Sequence, residues 1–196
     1  YPVGTSNVAL GYTALAALTS GSRNVAIGSN AADAITTASD NTAVGYNNLA
    51  NNTSGASNVA LGSRSMQANT SGANNVAVGF QSLTANTTAS NNTAVGYQAA
   101  YSNTTGTEVT AVGLHALYSN TTGNTNSALG RRTLYSNTTG ANNSAFGARA
   151  MHNNSTGDFN VSVGMDSLYS NTTASYNTSV GYQGLYANTT GNGLAS

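Results

Sequence analysis

The chain of 196 residues has no cysteine, no tryptophan, no lysine and a single proline. Without cysteine it has no disulfides, no thiolate nucleophile and none of the usual zinc sites. Charge is nearly missing too: five arginines face five acidic residues, and charged residues make up 5% of the chain. An ordinary soluble domain carries about 25%. No basic surface is available to follow a phosphate backbone, which argues against nucleic acid as a partner. No apolar run approaches the roughly 18 residues a membrane span requires. Intrinsic disorder usually goes with high net charge and few aromatic or aliphatic side chains. Eleven tyrosines and a net charge of zero argue against it.

In place of charge stand 29 Asn, 28 Thr, 24 Ser and 22 Gly, just over half the chain. They are ordered in a repeat. Gly11, Gly28, Gly45 and their successors to Gly181 are each 17 residues apart, without one insertion or deletion. Eleven units therefore span residues 7–193, with residues 1–6 a partial unit and 194–196 the start of a further one. Surface loops tolerate length changes cheaply, so this constancy means that every residue of the unit is structurally committed. A stacked solenoid imposes that constraint, because each coil must lie over the one below. Seventeen residues are too few for a helix pair and suit a β-solenoid coil of two short strands and two turns. Neither terminus reads as a polar cap, so the chain is expected either to be a segment of a longer fibre or to stack end to end into a head-to-tail filament.

Val8-Ala9-Leu10, Val25-Ala26-Ile27 and Val76-Ala77-Val78 set two branched residues about a small one, the period of a strand. The small position reads Ala9, Ala26, Ala43, Ala60, Ala77, Ala94, Ala111, Ala128, Ala145, Ser162, Ser179. A solvent-facing column would vary freely, so a packed neighbour is expected there, and this column is the expected self-association surface. The segment after the glycine, such as Tyr97–Tyr101, supplies one more core residue per coil (Leu83, Leu117, Met151). It reads as a second short strand, with a single helical turn as the alternative. Asn-Thr-Thr-Gly then closes the coil with residues that satisfy turn backbone from their own side chains. So thin a core is marginal against an ordering cost of about 1–2 kcal/mol per residue, and oligomerisation is the expected remedy.

Asn7-Val8-Ala9-Leu10-Gly11, Asn41-Thr42-Ala43-Val44-Gly45 and Asn177-Thr178-Ser179-Val180-Gly181 resemble the N-[ST]-[VA]-[AS]-[IVL]-G signature of YadA-like head repeats in trimeric autotransporter adhesins. Similar units occur in fibre proteins of bacteriophages and bacteria. The resemblance covers residues 7–193, although the coil here is longer than the family's. It implies an all-β parallel β-roll, left-handed, with three chains side by side, exposed outside the cell or on a virion and used for attachment.

Catalysis has little to work with. His115 and His152 occupy different columns, neither lies near acidic residues at a metal-ligand spacing, and no calcium-binding β-roll motif occurs. No enzyme activity, cofactor or metal is expected. Read by columns, the tyrosine position runs Ala16, Asp33, Ala50, Gln67, Thr84, Tyr101, Tyr118, Tyr135, His152, Tyr169, Tyr186. Its aromatic half is either a platform for a glycan or partner, or a self-supporting ladder or intersubunit contact; the second is favoured. A neighbouring column holds His115, Arg132, Arg149 and Asp166 in consecutive coils, with Arg131 next door. Arg149 is placed to pair with Asp166, whereas Arg132 over Arg149 repels unless an anion or another chain intervenes. Arg23 over Asp40 reads as a surface pair of small worth. Asn52, Asn69, Asn86, Asn103, Asn120, Asn137, Asn154, Asn171 and Asn188 match the glycosylation acceptor pattern, but the same side chains suit a stacked turn ladder.

The expected function is an adhesive extracellular fibre segment that self-associates and attaches to a host or environmental surface or glycan. A phage tail-fibre shaft is the same object with another owner. Ice binding by regular threonine rows is the alternative of another class. Against it, neighbours such as Thr87 and Thr88 point to opposite faces of a strand.

Overall fold

The structure, a computed structural model, describes residues 4–196; Tyr1, Pro2 and Val3 of the partial first unit lie outside the described residues. Eleven three-residue strands follow one another, each on the Val/Thr-Ala-aliphatic triplet of its unit. They are β1 (Val8–Leu10), β2 (Val25–Ile27), β3 (Thr42–Val44), β4 (Val59–Leu61), β5 (Val76–Val78) and β6 (Thr93–Val95). β7 (Thr110–Val112), β8 (Ser127–Leu129), β9 (Ser144–Phe146), β10 (Val161–Val163) and β11 (Thr178–Val180) complete the series. They form one parallel sheet in sequence order, and the register pairs each residue with the one 17 further on, as in Ala77↔Ala94. Thr178 also bridges to Ala195, which begins the next coil. The chain is a parallel β-solenoid with one repeat unit per coil.

Only one strand forms per coil. The segment expected to be a second strand is a chain of turns. Its backbone visits the left-handed region twice, at Gln81 (φ 55°) and Leu83 (φ 49°) in one coil and at equivalent residues in the others. A third left-handed residue stands just before each unit, for example Asn74 (φ 59°). Such φ values cost energy for a bulky L-residue. They persist because the backbone still bonds to the neighbouring coil: Leu83 N–H donates to Ala99 O at 3.0 Å, and Thr70 N–H to Thr87 O at 2.8 Å. The glycine after each strand is fixed by stacking. At Gly96 φ is 136°, and a Cβ there would lie 2.5 Å from the carbonyl oxygen of Gly113.

The two faces of the strand are the reverse of the sequence reading. The column expected to contact another chain, from Ala26 to Ser179, is fully buried inside its own coil; only Ala9, in the first coil, is exposed. Leu83, Leu117, Leu134 and Met151 reach across from the far wall and are also fully buried. The coil is so narrow that a large residue on one wall leaves room for little more than a Cβ opposite. The flanking branched residues therefore point outward: Ile27, Phe146 and Val163 are partly exposed. Burial of each inward Leu or Met contributes about 1.5–3 kcal/mol.

Two buried asparagine ladders supply much of the remaining interior, beside a shorter buried column that includes Ser65 and Ser82. Asn58 donates from its backbone N–H and Nδ2 to Asn41 Oδ1 at 3.0 and 3.2 Å. Asn69 Nδ2 donates to Asn52 Oδ1 at 2.9 Å. Both ladders meet on one carbonyl, since Asn58 Nδ2 and Asn69 Nδ2 also donate to Gly72 O at 2.9 and 3.0 Å. Most of these amides are satisfied along the axis, with Asn177 Nδ2 at the end of the column a buried exception, which makes a polar interior tolerable.

Candidate attachment surface

The tyrosine column lies on the turn side of the coil, just after the inward leucine. Its rings stack into an unbroken ladder. Centroids are 5.2 Å apart for Tyr101–Tyr118, Tyr118–Tyr135 and Tyr135–His152, and 5.1 Å for His152–Tyr169 and Tyr169–Tyr186. The planes of Tyr101 and Tyr118 differ by 6°. Ring faces are therefore spent on one another, and the ladder offers solvent its edges and phenol groups. This is the self-supporting arrangement.

His115 extends the patch. It sits 5.3 Å from Tyr118, edge to face, and 5.4 Å from Tyr97, which stacks on Phe80 at 5.5 Å. Its Nε2 meets Gln98 Oε1 at 3.0 Å. Burial, and secondarily the charge of Arg132, holds the imidazole below its ordinary value. Burial also pushes the Tyr118 phenol up, helped by Tyr135, Tyr101 and Tyr97.

The arginines divide by role. Arg149 Nη2 donates to Asp166 Oδ2 at 2.7 Å and its guanidinium lies 5.7 Å from the Tyr169 ring. The Asp166 side chain is 4% exposed, so Arg149 compensates a nearly buried charge. That hydrogen bond, followed by the carboxylate's charge, raises Arg149 above its ordinary value. Arg132 lies 5.9 Å from the Tyr135 ring, and Arg131 and Arg132 are both exposed. Among the described residues neither has a carboxylate in ion-pair range. The remaining pair, Arg23 with Asp40 at 2.6 Å, is exposed at the other end of the rod.

Other candidates are disposed of by geometry. The glycosylation-pattern asparagines Asn52 to Asn171 are fully buried, with Nδ2 donating into the ladders. Thr87 Oγ1 donates to the next coil at Thr104 O (3.2 Å), while Thr88 is exposed, so the threonine pairs leave one outward row rather than two. Among the described residues no acidic, His or Cys group gathers as a metal site and no pocket opens. The sequence reading missed the outward aliphatic columns, the Phe80–Tyr97 stack and an exposed Phe159–Tyr176 stack at 5.2 Å. The 17-residue spacing of both stacked pairs was the available signal. Set against known protein families, curated proteins and solved structures, the chain matches none.

Proposed function

We propose that the chain is a segment of an extracellular fibre, formed by side-by-side association of identical solenoids, that presents a surface for attachment. The observation that carries this is the outward face of the sheet. The two columns flanking the buried alanines contain only Val, Thr, Ser, Leu, Ile and Phe, without one charge from Val8 to Val180. Several are substantially exposed in the single chain, including Leu129, Phe146, Val161 and Val163. The strip is charge-free along its length, half-buried at β3 to β7 and exposed in one or both columns at β8 to β11, and an uncharged face of this kind marks an interaction surface. A second copy fits it best, because it repeats the same side chains at the same pitch, about 4.8 Å per coil. Lateral association thus moves from the alanine column to these outward columns.

Eleven coils make a rod on the order of 50 Å long. The resemblance of the Asn-to-Gly segment to YadA-like head repeats supports a left-handed roll, three chains around one axis and a place outside the cell. The role is structural and adhesive, with the turn side facing outward.

Sedimentation of the native protein tests the reading. The expected particle has three times the 19.6 kDa chain mass, and Val76→Lys with Val78→Lys should reduce it to single chains. A wild-type monomer at high concentration would overturn lateral assembly.

A further inference from the structure

We propose that Arg131, Arg132 and Arg149, with the phenol row beside them, bind an anionic linear polysaccharide lying along the solenoid axis. This rests on the attachment half of the fibre reading. Three of the chain's five arginines fall in two consecutive coils. Their backbones are in contact, since Arg149 N–H donates to Arg131 O at 2.9 Å. Arg149 is committed to Asp166, whereas Arg131 and Arg132 are exposed and have no carboxylate partner among the described residues. Arg132 stands one coil from Arg149, whose charge Asp166 balances, so the uncompensated charge is that of the neighbours Arg131 and Arg132, which an anion over them would relieve. A guanidinium is well shaped to take a sulfate or carboxylate by two parallel hydrogen bonds.

Charge complementarity extends beyond the cluster. From residue 41 to residue 157 the only acidic side chain is Glu108, which is the last residue of its unit and lies off the turn segment that carries the tyrosines. Along that stretch the turn side therefore offers cations and phenols without competing carboxylates. The ladder repeats every 5.1–5.2 Å, close to the length of one pyranose residue in an extended chain. A polymer laid along it meets one stacked ring per sugar, a phenol at every coil from Tyr101 to Tyr186 but that of His152, and its acidic groups meet Arg131 and Arg132. Because stacking and cation–π contacts already fix the rings, little ordering cost falls on binding.

The test compares dextran sulfate, uncharged dextran and oligothymidine as probes, at low and physiological salt. Wild type should bind dextran sulfate and not dextran. Arg131→Ala with Arg132→Ala should weaken that binding at least tenfold, and Tyr118→Phe with Tyr135→Phe by a few-fold. Arg64→Ala, elsewhere on the rod, should change nothing. Arg149 is left in place because it compensates Asp166, and circular dichroism checks that each variant keeps the wild-type fold. Equal binding by the double arginine variant, equal loss in Arg64→Ala, or binding of uncharged dextran would overturn the proposal. Oligothymidine bound as tightly as dextran sulfate would overturn it in favour of a nucleic-acid surface. If the chains associate but dextran sulfate is not retained, the ligand assignment falls and the fibre reading stands.

Discussion

Asn75 donates its backbone N–H and its Nδ2 to the same oxygen, Asn58 Oδ1, at 3.0 and 3.1 Å. The relation recurs at Asn24, Asn41, Asn58, Asn143 and Asn160, while Asn92 and Asn177 keep only the backbone half of it. The column itself loses its asparagine once, at Val109. Asn92 Oδ1 still accepts from Val109 N–H at 2.8 Å, but Val109 has no oxygen to offer Asn126.

Val109→Asn should therefore restore the ladder. Asn126 is fully buried, and a buried N–H without an acceptor costs about 1–3 kcal/mol. Part of the gain is offset by the lost burial of a valine. The net expectation is about 1 kcal/mol of added stability, or a rise of roughly 2–4 °C in melting temperature for a chain of this size. A lower melting temperature would show that valine packing outweighs the ladder.

Ala77→Leu should destabilise the single coil. Ala77 is fully buried, and overpacking a filled core typically costs about 1–3 kcal/mol. The loss should persist in the Val76→Lys, Val78→Lys background, where chains are separate. A loss seen only in assembled wild type would place Ala77 between chains instead.

Acid should weaken the coil around His115. Its folded-state value is lowered, chiefly by burial, so between that value and the ordinary one near 6.5 the unfolded chain binds more protons. The stability that neutral His115 contributes is present above about pH 6.5 and is lost as pH falls through the folded value. The groups facing it are Arg132, Gln98, Tyr97, Tyr118 and Tyr135. His115→Gln extends the Gln81–Gln98 bond of 2.7 Å and removes the proton. Melting temperatures measured from pH 7.5 to 5 should fall more steeply in wild type than in His115→Gln. Parallel curves would contradict this.

The sequence made the coil length, the strand positions and the aromatic ladder legible, because all three follow from a fixed spacing of named residues such as Gly96 and Tyr118. It misled on which side of the strand is inside. A strand's large residues ordinarily mark its core side and small ones a close contact, yet here Ala77 on the strand and Leu83 on the far wall are the fully buried pair of one coil and share its core. Nothing about a leucine announces φ near 49°, so that wall read as a strand. The arginine cluster was visible as a column, but its division between Arg149, bound to Asp166, and the free Arg131 and Arg132 needed coordinates.

The central claim is that identical chains meet through the outward columns and not through the alanines. The chain has no native cysteine, so a single introduced thiol reports contact without ambiguity. Val78→Cys on the outward face should form interchain disulfides on mild oxidation, seen as a doubled band on non-reducing gels, whereas Ala77→Cys should stay monomeric. Cross-linking through Ala77→Cys with none through Val78→Cys would contradict the account.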